Sequence, residues 1–234
     1  MNKPLIIAHR GGALEHSEHS WNAFKSCLKE SSINGIEFDI QFTKDNIPII
    51  VHDMIIIIEN NTYLIGNTSY KELQDHVISL QELLHFIQGR KQLYIEIKGN
   101  PSNEQISIII QQLKEYKLFY DYKSDFSLFI IMSFNYKLIK KLSTFFLPKQ
   151  LCFISACIYD QAILKEFWKQ NAFSNIALSV DCISNDFLIL LKHMNISILL
   201  YTLNEPKLYD HIKQQYPHIF LDGIISDCPK KILL

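Results

Sequence analysis

Aliphatic runs of four to six residues alternate with amphipathic stretches along the chain, and polar residues break in where those runs end. Residues two apart on a strand share a face, whereas helices repeat at 3.6, so the short β-branched runs predict strands and the longer periodic stretches predict helices. The strands fall at 5–8, 35–40, 49–51, 93–97, 128–132, 151–154, 176–179, 197–201 and 223–226. Helices are predicted at 20–30, 103–117, 135–142, 160–170, 185–193 and 205–215, with a shorter one at 80–88; several begin with residues suited to capping. The segment 54–79 reads as an irregular excursion between strands. This strand–helix alternation over 234 residues predicts a closed (β/α)8 TIM barrel, a single domain spanning 1–234. An open doubly wound sheet is the alternative, but it usually needs a Gly-rich phosphate turn after the first strand, and Gly11-Gly12 alone does not supply one.

In such a barrel the active site gathers at the carboxyl ends of the strands. Four polar islands lie at those ends: His9-Arg10, Glu37 with Asp39, His52-Asp53, and Glu96 with Lys98. Glu37 and Asp39 point together with Phe38 opposite, and Glu96 and Lys98 do likewise around Ile97. Burying charged groups is costly unless they pair or hold a metal, so their concentration at strand ends predicts one shared site. The residue types alone leave open whether the carboxylates bind a cation or form a salt-bridge network on the rim.

Composition narrows the partners. Lys and Arg total 23 against 24 Asp and Glu, which gives no overall field to attract nucleic acid or an anionic membrane, and no basic stripe interleaved with aromatic residues appears. Five cysteines without C-x-x-C spacing argue against a disulfide framework or a structural zinc site. The aliphatic stretches are too short to span a bilayer, and the apolar run at 5–8 is too short for a signal peptide, so the expected location is the cytoplasm. Oligomeric state is not readable from the sequence.

Taken in order, the islands resemble the glycerophosphodiester phosphodiesterase family. His9-Arg10-Gly11-Gly12 is similar to its opening motif. The run from Gly35 through Glu37 and Asp39 to Asp45, followed by Val51-His52-Asp53, is similar to its central signature. Tyr94-Ile-Glu96-Ile-Lys98, Ser133-Phe134, Thr202-Leu-Asn204 and the run from Asp222 to Pro229 resemble later strand ends of the family. The chain departs from the family at Ser17-Glu18-His19-Ser20, where the pattern is Pro-Glu-Asn-Thr, and at Asn46, where a turn Gly is usual. It departs again at Tyr201, which often is Trp, and in the shortened segment after Asp53, which covers the alcohol pocket in the family.

The resemblance implies metal-dependent hydrolysis of small glycerophosphodiesters to glycerol 3-phosphate and an alcohol. It assigns Glu37, Asp39 and Glu96 to one divalent cation, Mg²⁺ or Ca²⁺ with Mn²⁺ a further option, in keeping with the preference of hard cations for oxygen ligands. His9 and His52 are the expected general acid and base, since imidazole titrates near neutrality. Arg10 and Lys98 are the expected phosphate ligands. Glu18 and Asp53 are expected to orient Arg10 and His52, and Tyr201 to wall the pocket. The remaining histidines, His19 among them, read as structural, and Asn204 and Asp227 as turn or rim residues. Two other readings are weighed: a phospholipase D-like activity on lysophospholipids or sphingolipids, and a barrel that binds phosphodiesters without turnover. The second would have lost a histidine or carboxylate that this chain retains. For the first, the sequence shows no evident membrane-docking face.

Overall fold

In a computed structural model, which describes residues 3–120, 127–156 and 172–232, β1 (Leu5–Ala8) is followed by β2 (Gly35–Phe42). Next, β3 (Pro48–Ile50) folds back along the end of β2, β4 (Ile55–Ile58) and β5 (Asn61–Leu64) form a hairpin, and β6 (Ile78–Ser79) pairs with β3. Six further strands complete the described chain: β7 (Gln92–Ile97), β8 (Phe129–Ser133), β9 (Leu151–Ser155), β10 (Asn175–Ser179), β11 (Ser197–Tyr201) and β12 (Gly223–Ser226). Strands β1, β2 and β7 to β12 are all parallel and close on themselves, β12 pairing with β1 and β1 with β2. This is the (β/α)8 barrel that the alternation predicts.

Helices Trp21–Lys29, Leu80–Ile87, Asn103–Tyr120, Tyr136–Leu142, Asn185–His193 and Pro206–Gln215 follow strands in the predicted order. Their starts show why the sequence places them there: Ser20, Ser79, Asn135 and Ser184 each accept a hydrogen bond from a main-chain N–H of the first turn. The predicted helix at 160–170 lies outside the described residues.

Alternation along the strands sorts two apolar layers. Ile36, Phe38 and Ile40 of β2 join Leu93, Ile95 and Ile97 of β7 in the large core between sheet and helices. A second cluster, including Ile7, Tyr94, Met132, Cys152 and Leu199, fills the barrel interior. Gly35 and Gly223 make room for it. A Cβ at Gly35 would lie 2.5 Å from Tyr94 Cε2, and one at Gly223 would lie 2.7 Å from Leu199 Cδ2. On the same interior face of β2 and β7, above this plug, come Glu37, Asp39 and Glu96, and the strand register sets Asp39 directly beside Glu96.

Two expectations need correction. The run at 49–51 is not a barrel strand: β3 pairs antiparallel with β2, Ile50 opposite Ile40. Only a tight turn separates the two, with Asn46 in the left-handed region at φ 64°, and a parallel neighbour would need a crossover of about a dozen residues or more. The segment 54–79 is regular rather than irregular, carrying the β4–β5 hairpin, the short helix Tyr70–Leu73 and β6. Ile56, Ile58 and Tyr63 of the hairpin pack against Ile49, Ile65 and Leu73. Its outer face leaves Ile55, Ile57 and Leu64 exposed beside exposed Met54, an apolar surface that the sequence reading did not single out.

Candidate active site

His9 follows β1 in a single 3-10 turn, with Arg10 at φ 50° and Gly11 at φ 80°. Positive φ at three successive residues, Arg10, Gly11 and Gly12, turns the chain sharply over the barrel mouth. A Cβ at Gly11 would come within 2.8 Å of Ala23 Cβ, so the turn also rests directly on the helix that starts at Trp21. His52 arrives differently. The β2–β3 pairing carries the chain back toward the mouth, where Val51 N–H donates to the Asp39 carbonyl at 3.1 Å and Gln41 Nε2 donates to the His52 carbonyl at 2.6 Å.

Each imidazole is held by an aspartate through Nδ1. His9 Nδ1 lies 2.5 Å from Asp227 Oδ1, and His52 Nδ1 lies 2.7 Å from Asp53 Oδ1. An ionised carboxylate only accepts, so Nδ1 carries the proton and Nε2 is the atom left for chemistry. Asp227 is fixed in turn by Asn204, whose Nδ2 donates to Asp227 Oδ2 at 2.8 Å and whose Oδ1 accepts the Asp227 N–H at 2.8 Å. Burial opposes the charged form of His9, but the Asp227 hydrogen bond and the charge of Glu37 outweigh it and raise the ring's pKa.

The three carboxylates meet. Glu37, Asp39 and Glu96 are buried, and each offers an oxygen within 4.8 Å of the others. Lys98 Nζ bridges Asp39 Oδ1 at 2.8 Å and Glu96 Oε1 at 2.7 Å. Arg10 donates its main-chain N–H to Glu37 Oε2 at 2.9 Å, places Nε 3.4 Å from Asp39 Oδ2, and bonds Glu18 through Nη1 at 2.9 Å. Burial, reinforced by the neighbouring charge of Asp39, raises both Glu37 and Glu96 above the usual carboxylate range. Burial pushes Asp39 the same way, but His19 and Lys98 overcome it and hold Asp39 well below that range.

Such a donor set fits a divalent cation. All its ligands are oxygens, two of the acids resist ionisation without further positive charge, and the buried Asp39 Oδ2 has no hydrogen-bond partner.

Beside the triad, a cavity of about 190 Å³ is lined by His9, Arg10, His52 and Lys98 and walled by Phe134 and Tyr201. Those two rings meet edge to face at 6.3 Å. An adjoining groove of about 550 Å³ shares His52 and Lys98 and runs past Asp53, Met54 and Asn100. A larger groove of about 690 Å³ between the hairpin and Trp21 has no Lys or Arg in its lining and so offers phosphate no fixed cation.

The structure therefore brings together all ten residues singled out from the sequence, with Glu18 on Arg10, Asp53 on His52 and Tyr201 in the cavity wall. The sequence reading undervalued three others. Asp227 and Asn204, taken as turn or rim residues, hold His9. His19, taken as structural, lies against Asp39, its Nε2 3.3 Å from Oδ2. The visible signals were the polar residues ending β11 and β12, and the position of His19 next to Glu18.

Comparison with known proteins gives a consistent result. Residues 9–231 match the model of the glycerophosphoryl diester phosphodiesterase family. Human glycerophosphodiester phosphodiesterase 1 is 43% identical over 47 residues, 20% of this chain and 14% of that protein. The glycerophosphodiester phosphodiesterase of Caldanaerobacter subterraneus subsp. tengcongensis is 43% identical over 51 residues, 22% of this chain and 21% of that one. These curated matches thus span well under two thirds of either relative. Among solved structures, an Oleispira antarctica phosphodiesterase in complex with the product sn-glycerol-3-phosphate superposes with a TM-score of 0.80 at 20% identity, covering 98% of this chain and 95% of that one. The Thermotoga maritima glycerophosphodiester phosphodiesterase gives 0.77 at 19% identity, covering 100% and 99%. At these identities the superpositions establish the shared barrel.

Proposed function

The chain belongs to the glycerophosphoryl diester phosphodiesterase family, and from that premise we propose that it hydrolyses glycerophosphodiesters to glycerol 3-phosphate and an alcohol, with Glu37, Asp39 and Glu96 holding one divalent cation. The observation that carries this reading is the convergence of two aspartate-held imidazoles, two fixed cations and three buried carboxylates on one cavity. The chemistry a hard cation supplies there is neutralisation of charge on a non-bridging phosphate oxygen. Arg10 and Lys98 bind the remaining phosphate oxygens, Arg10 with its planar fork and Lys98 as a point charge. One imidazole takes a proton through Nε2 from the nucleophile, either water or the glycerol 2-hydroxyl, while the other delivers a proton to the departing alkoxide; where the hydroxyl attacks, water then opens the cyclic phosphate to glycerol 3-phosphate with the two rings in reversed roles. Asp53 and Asp227 accept from Nδ1–H on the two rings, which leaves Nε2 free to accept on the base and stabilises the imidazolium that donates from Nε2 on the acid. Phe134 and Tyr201 shield one side of the cavity from water.

The test is product identification: ³¹P spectra of glycerophosphocholine incubated with the protein and Mg²⁺ are expected to show glycerol 3-phosphate growing as the diester disappears. Phosphocholine as the product, or an unchanged diester, contradicts the reading. The Asp227→Asn variant offers a finer check. An amide donates to Nδ1 and drives the proton to Nε2, so kcat/KM is expected to fall about 10- to 10³-fold. Asp227 raises the His9 pKa, so whichever limb of the pH–rate profile His9 governs moves to lower pH in the variant.

One observation favours a second reading. Met54, exposed as Ile55, Ile57 and Leu64 are, lines the groove at His52, an apolar edge suited to the acyl chain of a lysophospholipid. Under that reading, turnover of lysophosphatidylcholines rises with acyl length below the micellar concentration. The proposed setting is the cytoplasm, which suits the burial of the four described cysteines without a disulfide among them. No helix among the described residues is long and apolar enough to cross a membrane.

A further inference from the structure

His19 occupies a position that packing alone does not explain. It sits just before the cap residue Ser20 with φ 54°, a left-handed conformation that costs a side-chain-bearing residue free energy. Its N–H donates to the Arg10 carbonyl at 3.0 Å, which folds the chain back beneath the His9-Arg10-Gly11 turn and drives the ring inward. Only 6% of the side chain remains exposed. There Nε2 meets two atoms of one residue: the main-chain nitrogen of Asp39 at 3.3 Å and its Oδ2 at 3.3 Å.

These two contacts make different demands on the ring. With its proton on Nδ1, Nε2 accepts from the Asp39 N–H; with its proton on Nε2, it donates to Oδ2. It cannot do both at once. Either way the imidazole grips Asp39, through the strand in one tautomer and through the carboxylate in the other. Asp39 is the member of the triad most in need of that grip. Lys98 fixes Oδ1 at 2.8 Å, while buried Oδ2 has only His19 Nε2 at 3.3 Å and Arg10 Nε at 3.4 Å beside it. Leaving such an atom free to rotate would blur the oxygen arrangement offered to a cation.

We infer that His19 is a positioning residue that sets the Asp39 carboxylate for the divalent cation, acting through Asp39 rather than by touching substrate. The inference rests on the metal-dependent reading above and extends it to a residue outside the triad. Outer partners that orient ligating carboxylates characteristically contribute about 10- to 100-fold in metal affinity. Phenylalanine keeps the ring's bulk and removes its nitrogens, alanine removes both, and glutamine places a terminal amide at the reach of Nε2 with both donor and acceptor capacity.

The experiment is calorimetric titration of the full chain with Mn²⁺ alone, for the native protein and the His19→Phe, His19→Ala and His19→Gln variants. His19→Phe and His19→Ala are expected to weaken Kd about 10- to 100-fold, and His19→Gln to recover all but about threefold of the native affinity. At saturating Mn²⁺, kcat for His19→Phe is expected within about threefold of native, since the loss lies in holding the ion. Native Mn²⁺ affinity in His19→Phe would show that the ring only fills space and would overturn the inference, as would His19→Gln binding no better than His19→Phe. A native chain that hydrolyses diester but binds no Mn²⁺, Mg²⁺ or Ca²⁺ would instead fail the metal-dependent reading beneath it.

Discussion

His9→Ala and His52→Ala are each expected to lower kcat/KM for glycerophosphocholine by about 10²- to 10⁴-fold, the range that a positioned proton donor or acceptor supplies. Both rings line the cavity, and both have Nδ1 committed to an aspartate, so each substitution removes the single Nε2 that faces substrate. The two rings serve opposite ends of one displacement. The double variant is therefore expected to be about as slow as the slower single variant rather than to show the product of the two losses. Folding should be little affected, because both side chains are partly open to solvent, 19% for His9 and 33% for His52. Steady-state kinetics together with thermal melting of the same samples check this. A loss of activity that merely tracks a fall in Tm would remove the catalytic assignment.

Substitutions in the triad are expected to separate activity from stability. Glu37→Gln and Asp39→Asn should each lower kcat/KM on the order of 10³-fold, the rate equivalent of several kcal/mol of lost charge stabilisation. In chelator their effects on stability should have opposite signs. The folded-state pKa of Glu37 is pushed up to about 8, chiefly by burial, so folding at pH 7 takes up a proton and costs stability that is recovered as pH falls from the folded pKa to the unfolded one. Glu37→Gln has no proton to take up and is expected to stabilise the metal-free chain at pH 7 by roughly 1–3 kcal/mol. Asp39 has a depressed pKa, so its ionised form contributes stability above the unfolded pKa that is lost as pH falls through the folded one. Asp39→Asn leaves Lys98 with Glu96 alone and should destabilise the chain at pH 7, a difference that fades only when pH falls through the depressed folded pKa of Asp39. Denaturant melts at pH 7 and pH 4 measure both effects: the gain in Glu37→Gln should shrink at pH 4, while the loss in Asp39→Asn should persist there. Equal signs at pH 7 would contradict the electrostatics described for the site.

The barrel and the triad were legible because they rest on local periodicity. Glu37 and Asp39 flank Phe38, and a period of two is enough to put them on one face whatever the strand's neighbours. Strand direction has no such signature. Residues 49–51 read as another buried strand, and only the shortness of the turn around Asn46 forbids the parallel pairing that a barrel strand requires. The hairpin at Ile55–Ile58 was obscured for a related reason: four successive isoleucines hide the alternation that tells an inner face from an outer one. The support for His9 was hidden by distance, since Asp227 lies 218 residues away and only closure of β1 against β12 brings it to Nδ1. The contact of His19 with Asp39 was not legible because a lone histidine in a loop gives no sign of its partner, and the contact depends on the Arg10 turn folding over it.

The most direct measurement follows hydrolysis of glycerophosphocholine by chelator-treated protein as a divalent cation is added back, alongside cation binding to the same samples. Glycerol 3-phosphate formation should fall to background in chelator and return in proportion to occupancy, saturating at one ion per chain, with neither binding nor recovery in Asp39→Asn. An undiminished rate in excess chelator, or full recovery in Asp39→Asn, would mean that the buried carboxylates hold no catalytic ion.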